Sequence, residues 1–195
     1  MIPNNRNIKL VMMPLIIHTS RLLLRVPSPD DVDAFMNAFN HESIVEWFLE
    51  KQSLLSREDV IELFETAKRR EESNNGFELC IYLKDSGNLI GGVTVWLEQE
   101  DMKGEIAFWC TPQYQGIGIA TEALCALRNR CFEELGLERL YGACTADNLP
   151  SIKVMENAGM RLEGVLRHDC KHGDSFKDTK LFAIIRTDWQ ALTKG

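Results

Sequence analysis

Residues 113–122 read QYQGIGIATE and join a strand-like run ending at Cys110 to a strongly periodic helical segment. The first N–H groups of a helix have no partner inside it and carry the positive end of its dipole, which suits a phosphate. Gly116 and Gly118 add backbone freedom and remove side chains that would hold a phosphate away. The segment predicts an anion site, with a glycine-rich turn that binds nothing as the alternative.

Two nucleotide-binding motifs fit this segment poorly. A P-loop needs Lys followed by Ser or Thr after its second glycine, where Ile119 and Ala120 stand. A dinucleotide fingerprint needs a third glycine, where Thr121 stands, and a strand that opens a βαβ unit. Both nucleotide interpretations are therefore disfavoured.

The segments around the loop predict one mixed α/β domain. Upstream, we expect helices over residues 29–40, 44–49 and 57–73, and strands over 19–26, 77–83, 89–97 and 105–110, the last three as an antiparallel meander. Downstream, we expect helices over 120–135 and 151–158 and strands over 140–144, 160–166 and 181–186. A strand–helix–strand crossover then adds a parallel pair, so the fold is a mixed, mostly antiparallel central sheet with helices on both faces.

Composition limits the classes of protein that the chain can represent. Its 195 residues, 45% apolar and 26% charged, are enough to bury one core. A net charge of −7 argues against nucleic acid, and the apolar run at 10–17, which we expect to be a core or edge strand, is too short to span a membrane. The six cysteines show no C-x-x-C pair, which is typical of reduced thiols in a cytoplasmic protein.

At the glycine loop the chain resembles the GCN5-related N-acetyltransferases, whose pyrophosphate loop reads Q/R-x-x-G-x-G/A. The branch containing ribosomal-protein N-terminal acetyltransferases is similar at further segments: TSRLLLR at 19–25, GEIAFW at 104–109, TEA at 121–123, Asn148 with Ser151, NAGM at 157–160, and Glu163-Gly164 with Arg167. The resemblance divides the chain into an N-terminal extension, residues 1–18, and an acetyltransferase domain, residues 19–190.

The resemblance also implies a donor site for acetyl-coenzyme A (acetyl-CoA), the co-substrate, with no metal. The pyrophosphate would bind backbone amides, and the pantetheine arm would pair with strand backbone where two central strands splay, with Asn148 touching the arm from the other side. The amides implied are those of Gln115, Gly116, Gly118, Ile119 and Ala120, and the strand residues are Phe108, Trp109 and Cys110.

Direct attack of an amine on a thioester needs a neutral amine and a proton for the departing thiolate. In the resembling branch Glu105 and Glu163 border the acceptor cleft, and we favour Glu163 as the base, with ordinary strand-end carboxylates as the alternative. Ser151 is the expected proton donor, with helix capping as its alternative role. Trp47 is expected to line the acceptor cleft, unless it only packs in the core.

Two other chemistries are not favoured. Residues 168–172, HDCKH, could be read as metal ligands but lack a second ligand cluster. Cys110 and Cys144 have no histidine near them in sequence and lie in apolar strands, so we expect buried structural thiols rather than nucleophiles.

The sequence therefore predicts an N-acetyltransferase that transfers the acetyl group of acetyl-CoA to a primary amine by direct attack in a ternary complex. The amine would belong to a protein N-terminus or a small cationic molecule, and the enzyme would be a monomer or homodimer. A catalytically silent acyl-CoA-binding sensor or scaffold is the alternative.

Overall fold

The computed structural model of the chain describes residues 15–47, 54–172 and 175–193. Its centre is an eight-stranded sheet in the order β1-β2-β3-β4-β5-β6-β8-β7. The strands are β1 (Ile16–His18), β2 (Leu22–Arg25), β3 (Gly76–Leu83), β4 (Leu89–Glu98), β5 (Lys103–Cys110), β6 (Arg139–Thr145), β7 (Arg161–His172) and β8 (Ser175–Ile185). The helices are α1 (Val32–Phe39), α2 (Glu42–Val45), α3 (Arg57–Glu72), α4 (Ile119–Glu133), α5 (Leu149–Asn157) and α6 (Arg186–Thr193).

The predicted fold class is confirmed. Neighbouring strands run antiparallel except β5 and β6, which are parallel and joined through α4. One face of the sheet packs against α4 through side chains such as Leu124, Leu127 and Phe132. The other packs against α1 and α3 through Phe35 and Phe64, so helices cover both faces.

Local sequence signals set the helix ends. At the start of α3, Ser56 Oγ accepts from the Asp59 amide at 3.1 Å, and the Asp59 carboxylate accepts from the Ser56 amide at 2.9 Å. This capping box satisfies two groups that would otherwise lack partners at the helix N-terminus. The helix therefore begins where the sequence predicts.

The parallel pairing between β5 and β6 is short and leaves the end of β5 unpaired on one side. Paired residues run only from Lys103 to Glu105 on β5, opposite Arg139 to Tyr141 on β6. Beyond Glu105 the two strands diverge, and none of the described strands pairs with the β6-facing edge of Phe108 to Cys110. The sheet thus keeps an open backbone edge in its interior.

The C-terminal part differs from the prediction. The strands β7 and β8 are longer than expected and form a hairpin in which β8, not β7, lies beside β6. The outer half of this hairpin is polar, so it lacks the apolar alternation by which a strand is recognised. The helix α6 was also not predicted.

The segments at residues 10–17 and 44–49 are described only in part. Ile16–His18 is β1 and pairs with β2, so in the described part of the chain the sheet includes the last three residues of the expected N-terminal extension. The expected helical piece at 44–49 corresponds to α2 at Glu42–Val45, and residues 10–14 and 48–49 lie outside the described part. None of the described helices is long and apolar enough to cross a bilayer.

Candidate active site

A cavity of about 660 Å³ opens where β5 and β6 diverge. Its walls are the end of β5, the glycine loop with the start of α4, one face of α5, and α2 with the residues after it. The lining residues are Ser43, Ile44, Trp47, Phe108, Trp109, Cys110, Tyr114, Gln115, Gly116, Gly118, Ile119, Ala120, Thr121, Asn148, Pro150, Ser151, Lys153, Val154 and Asn157.

The cavity brings together most of the residues singled out from the sequence. These are Trp47, Phe108, Trp109, Cys110, Gln115, Gly116, Gly118, Ile119, Ala120, Asn148 and Ser151. The two glutamates expected near the acceptor, Glu105 and Glu163, are not among the lining residues.

The glycine loop has a backbone conformation that favours glycine. Gly116 and Gly118 have φ of 74° and 82°, and Gly118 is the N-cap of α4. A Cβ atom at Gly116 would meet no atom within 4 Å, so this side of the loop is open. The loop is tied to β5 because Gln115 Nε2 donates to the Cys110 carbonyl at 2.8 Å. The first amides of α4 consequently border the cavity at the positive end of the helix dipole.

The open edge of β5 offers backbone groups to a ligand. Thr111 N donates to Ile90 O at 2.9 Å, toward β4. Successive residues of a strand direct their backbone groups to opposite sides, so those of Trp109 face β4 and those of Phe108 and Cys110 face the cavity. Gln115 already occupies the Cys110 carbonyl, which makes Phe108 the principal residue for pairing with an extended ligand.

Trp109 contributes its indole ring to the cavity wall, since its backbone groups face β4. The indole lies so close over Gly92 that a Cβ there would be 2.4 Å from Nε1. The ring also packs edge-on against Phe35 and Phe39, with centroid distances of 5.3 and 5.0 Å. The wall of the cavity is therefore supported by α1.

Asn148 and Ser151 have separable roles at the start of α5. Asn148 is buried and its Oδ1 accepts from the Ser151 amide at 3.1 Å, which caps the helix. The cap uses the backbone of Ser151 and not its hydroxyl, so the capping alternative does not account for that side chain. The Asn148 amide group is the part of its side chain that can serve a ligand.

The two glutamates differ in their partners. Both carboxylate oxygens of Glu163, on β7, accept from the Arg139 guanidinium, and these hydrogen bonds lower the pKa of Glu163. Glu105 is exposed at the last paired position of β5, three residues or about 10 Å along the strand from Phe108. Neither carboxylate reaches the cavity wall directly.

The two cysteines considered as nucleophiles, Cys110 at the cavity and Cys144 on β6, are weakly acidic. Burial raises the pKa of Cys110 to about 12, and burial is also the main cause that raises the pKa of Cys144 to about 11. Both thiols are protonated at neutral pH, which argues against nucleophilic catalysis by either one. Across the part of the chain that the structure describes, no three His, Cys, Asp or Glu side chains cluster as metal ligands.

The residues of α5 that line the cavity were not predicted from the sequence, apart from Ser151. Lys153, Val154 and Asn157 line the cavity, and they follow Pro150 at the i+3, i+4 and i+7 spacing of a single helix face. This periodicity was the signal that could have identified them. Tyr114, from the turn before the glycine loop, also lines the cavity without having been assigned a role.

Trp47, two residues after α2, lines the cavity. The Lys177 ammonium, on β8, lies 5.2 Å from the centre of the Trp47 ring and 2.8 Å from Asp147 Oδ2. This contact links the residues after α2 to the β7–β8 hairpin. Trp47 thus borders the cavity, and its expected role in lining an acceptor cleft stays a prediction.

The first turn of α4 is joined to the turn between β1 and β2 by the Glu122 cluster, which we define as Thr19, Ser20, Arg21 and Glu122. Glu122 Oε1 accepts from Thr19 Oγ1, Ser20 Oγ and Arg21 N at 2.5, 3.0 and 3.0 Å, and Oε2 accepts from Arg21 Nε at 2.6 Å. Burial raises the pKa of Glu122, but these hydrogen bonds outweigh it and lower the pKa to about 2.

The Glu122 cluster predicts a pH-dependent contribution to stability. Since the folded-state pKa lies below the ordinary value of 4.5, the stabilisation is complete above that value and is lost as the pH falls toward 2. We expect Glu122→Gln to lower the free energy of unfolding by about 1–3 kcal/mol at pH 7 and by progressively less toward pH 3. Urea titrations at pH 7, 5 and 3 measure this. A pH-independent difference would contradict it, and the exposed-pair variant Glu65→Gln serves as control.

Comparisons with known proteins agree with this geometry. Residues 21–161 match the family model described as acetyltransferase (GNAT) domain. The uncharacterized N-acetyltransferase YnaD of Bacillus subtilis (strain 168) is 27% identical over 173 residues, covering 89% of this chain and 98% of that protein. The ribosomal-protein-serine acetyltransferase of Escherichia coli (strain K12) is 33% identical over 111 residues, 56% of this chain and 62% of that protein.

A solved structure shows the same fold. RimL, a ribosomal L7/L12 alpha-N-protein acetyltransferase in complex with coenzyme A, is similar with a TM-score of 0.81 and 20% sequence identity, over 88% of this chain and 98% of that chain.

Proposed function

The chain belongs to the acetyltransferase (GNAT) domain family and is an N-acetyltransferase; from that premise we propose that it acetylates a primary amine, of a protein N-terminus or a small cationic molecule, by direct attack in a ternary complex with acetyl-CoA. The observation that carries this proposal is the shape of one cavity. It joins a helix N-terminus with two glycines at positive φ to an unpaired strand edge.

The residues at the loop fit a diphosphate. The amides of Gln115, Gly116, Gly118, Ile119 and Ala120 are the proposed donors to it, as the resemblance implies. The open space above Gly116 and the start of α4 support this role, because an anion there meets unpaired N–H groups and no side chain. Lys153, an exposed cation on α5 at the cavity, adds positive charge.

The strand edge fits the amide-containing arm of the donor. Phe108 and Cys110 direct backbone groups into the gap between β5 and β6, and Asn148, the N-cap of α5, lines the same cavity. Acetyl-CoA supplies a thioester that an amine can attack. The task of these residues is to hold that thioester in the gap and exclude alternative orientations, which accounts for much of the rate gain in such reactions.

We propose Glu105 as the general base, acting through water. Glu105 lies where the β5–β6 gap begins, whereas Arg139 holds both oxygens of Glu163 and lowers its pKa, which makes Glu163 the weaker base. An α-amine, with a pKa near 8, is already partly neutral at pH 7, so a relay to one carboxylate is sufficient.

Substituting each glutamate separately tests this assignment. We expect Glu105→Gln to lower kcat about 100-fold and to remove the acidic limb of the pH–rate profile. Glu163→Gln removes the carboxylate that we favoured from the sequence, and we expect it to change kcat less than about threefold. The opposite ranking, measured at saturating acetyl-CoA, would assign the base to Glu163.

Ser151 is the proposed proton donor to the departing thiolate, because its hydroxyl is not required for the cap and it lines the cavity. We expect Ser151→Ala to lower kcat about 100-fold with little change in the KM for acetyl-CoA. Tyr114→Phe, at the same cavity, is the comparison variant and is expected to retain activity. Steady-state thiol release measures both, and a larger loss in Tyr114→Phe would transfer the role to that residue.

A thiol-release assay tests the proposed function as a whole. The purified chain is mixed with acetyl-CoA and a panel of amines that includes peptides with free N-termini, polyamines and lysine. We expect release with at least one class and a rise in melting temperature with acetyl-CoA but not with ATP or NAD. Stabilisation without thiol release from any amine would favour the silent sensor or scaffold, and no stabilisation would refute the donor site.

A further inference from the structure

The guanidinium of Arg21 links the first turn of α4 to the glycine loop. Its Nε donates to Glu122 Oε2 at 2.6 Å, while its NH1 donates to the carbonyl of Ile117 at 3.0 Å. The second terminal nitrogen lies 3.5 Å from the position that a Cβ atom on Gly118 would occupy. Arg21 therefore contacts the loop at the peptide between Ile117 and Gly118.

The contact with Ile117 determines where the Gly118 amide points. The Ile117 carbonyl and the Gly118 N–H belong to one planar trans peptide, in which they point in opposite directions. Arg21 lies outside the residues that line the cavity, whereas Gly118 is among them. Holding the carbonyl outward thus directs the Gly118 N–H toward the cavity, as a diphosphate donor requires.

The negative charge of Glu122 explains why a cation is needed beside the first turn of α4. The Glu122 carboxylate lies in the first turn of α4, where it stabilises the helix but would repel an anion bound at the same terminus. Thr19, Ser20 and Arg21 direct four hydrogen bonds at that carboxylate, and one of these donors carries a positive charge. The cluster retains the helix-stabilising group while reducing its repulsion of a phosphate.

We propose that Arg21 is a positioning residue for the donor's diphosphate, which orients the Gly118 amide through the Ile117 carbonyl and neutralises Glu122. This inference rests on the proposed function, since it requires acetyl-CoA at the loop. It assigns a role to the turn between β1 and β2, which lies about 100 residues before the loop in sequence and does not line the cavity.

Kinetics with two acetyl donors distinguish a role of Arg21 in positioning the diphosphate from a role in stabilising the fold. S-acetylpantetheine carries the thioester and most of the arm but no diphosphate. We expect Arg21→Ala to lower kcat/KM for acetyl-CoA about 10- to 100-fold, mainly through KM, and to change kcat/KM for S-acetylpantetheine less than about threefold. Arg69→Ala, at an exposed arginine of α3 paired with Glu65, is the matched control and is expected to change neither.

Arg21→Lys is the second variant, in case Arg21→Ala does not fold. It keeps the charge beside Glu122, but a single ammonium does not reproduce the planar contacts to Glu122 and Ile117 together, so we expect a loss that is smaller than in Arg21→Ala but still selective for acetyl-CoA. The inference would be overturned if the Arg21 variants lost kcat/KM equally with acetyl-CoA and S-acetylpantetheine, or if neither variant lost kcat/KM. In both cases, turnover by the wild type would leave the proposed function intact. If the wild type neither binds nor consumes acetyl-CoA, the proposed function fails and this inference fails with it.

Discussion

Replacing Gly118 by valine is expected to lower kcat/KM for acetyl-CoA about 100-fold, the typical cost of losing one aligned backbone donor at a charged group. Gly118 has φ of 82°, a conformation that a β-branched residue adopts only with strain. Relief of that strain would rotate the peptide and turn its N–H away from the cavity. Steady-state kinetics, with calorimetric titration of coenzyme A, measure the effect.

Gly87→Val is the matched control for this substitution. Gly87 has φ of 71°, lies in the turn between β3 and β4, and has no atom within 4 Å of its Cβ position. The variant therefore has a similar backbone penalty without a contact to the cavity. Equal losses of coenzyme A affinity in Gly87→Val and Gly118→Val would show that the effect is general destabilisation and not loss of a donor.

Truncating Phe35 to alanine is expected to produce the largest loss of stability, about 3–5 kcal/mol. Phe35 is 2% exposed, and its ring lies 5.2 to 5.6 Å from those of Phe39, Phe64 and Trp109. Removing it leaves a cavity that joins α1, α3 and β5. The melting temperature is expected to fall by roughly 6–20 °C, as measured by calorimetry.

Loss of Phe35 is also expected to weaken acetyl-CoA binding, because Phe35 packs against Trp109, which lines the cavity. We expect the KM for acetyl-CoA to rise in the variant at temperatures where it remains folded. Ile61→Ala, at a 41% exposed position of α3, is the control and should change stability by less than about 1 kcal/mol. A similar change in both variants would indicate that α1 does not support the site through Phe35.

Much of the candidate site was predictable because the cavity is built from short contiguous segments. Residues 108–110 and 115–120 lie next to each other in sequence, and the strand end, the two glycines and the periodic helix each give a local signal. The Asn148 cap and α5 are equally local. Their convergence on one cavity follows from the crossover between β5 and β6.

The partners of the two candidate carboxylates were less predictable, because the state of a carboxylate depends on groups distant in sequence. Arg139, 24 residues away, holds both oxygens of Glu163. Its position opposite Glu163 follows from the order of β6, β8 and β7, in which the last strand of the chain inserts beside β6. A pattern of residues around Glu163 contains no information about this partner.

The sequence by itself determined most helices and strands, the mixed sheet and the glycine loop at the start of α4, because caps, periodicity and glycine conformations act over a few neighbouring residues. Only the tertiary structure decided the order of β7 and β8, the pairing of Glu163 with Arg139, and the contact of Arg21 with the glycine loop. Each of these depends on sheet register and on charges that the folded chain brings together. The energies of such long-range pairs depend on distance and burial, which exist only after the chain has folded.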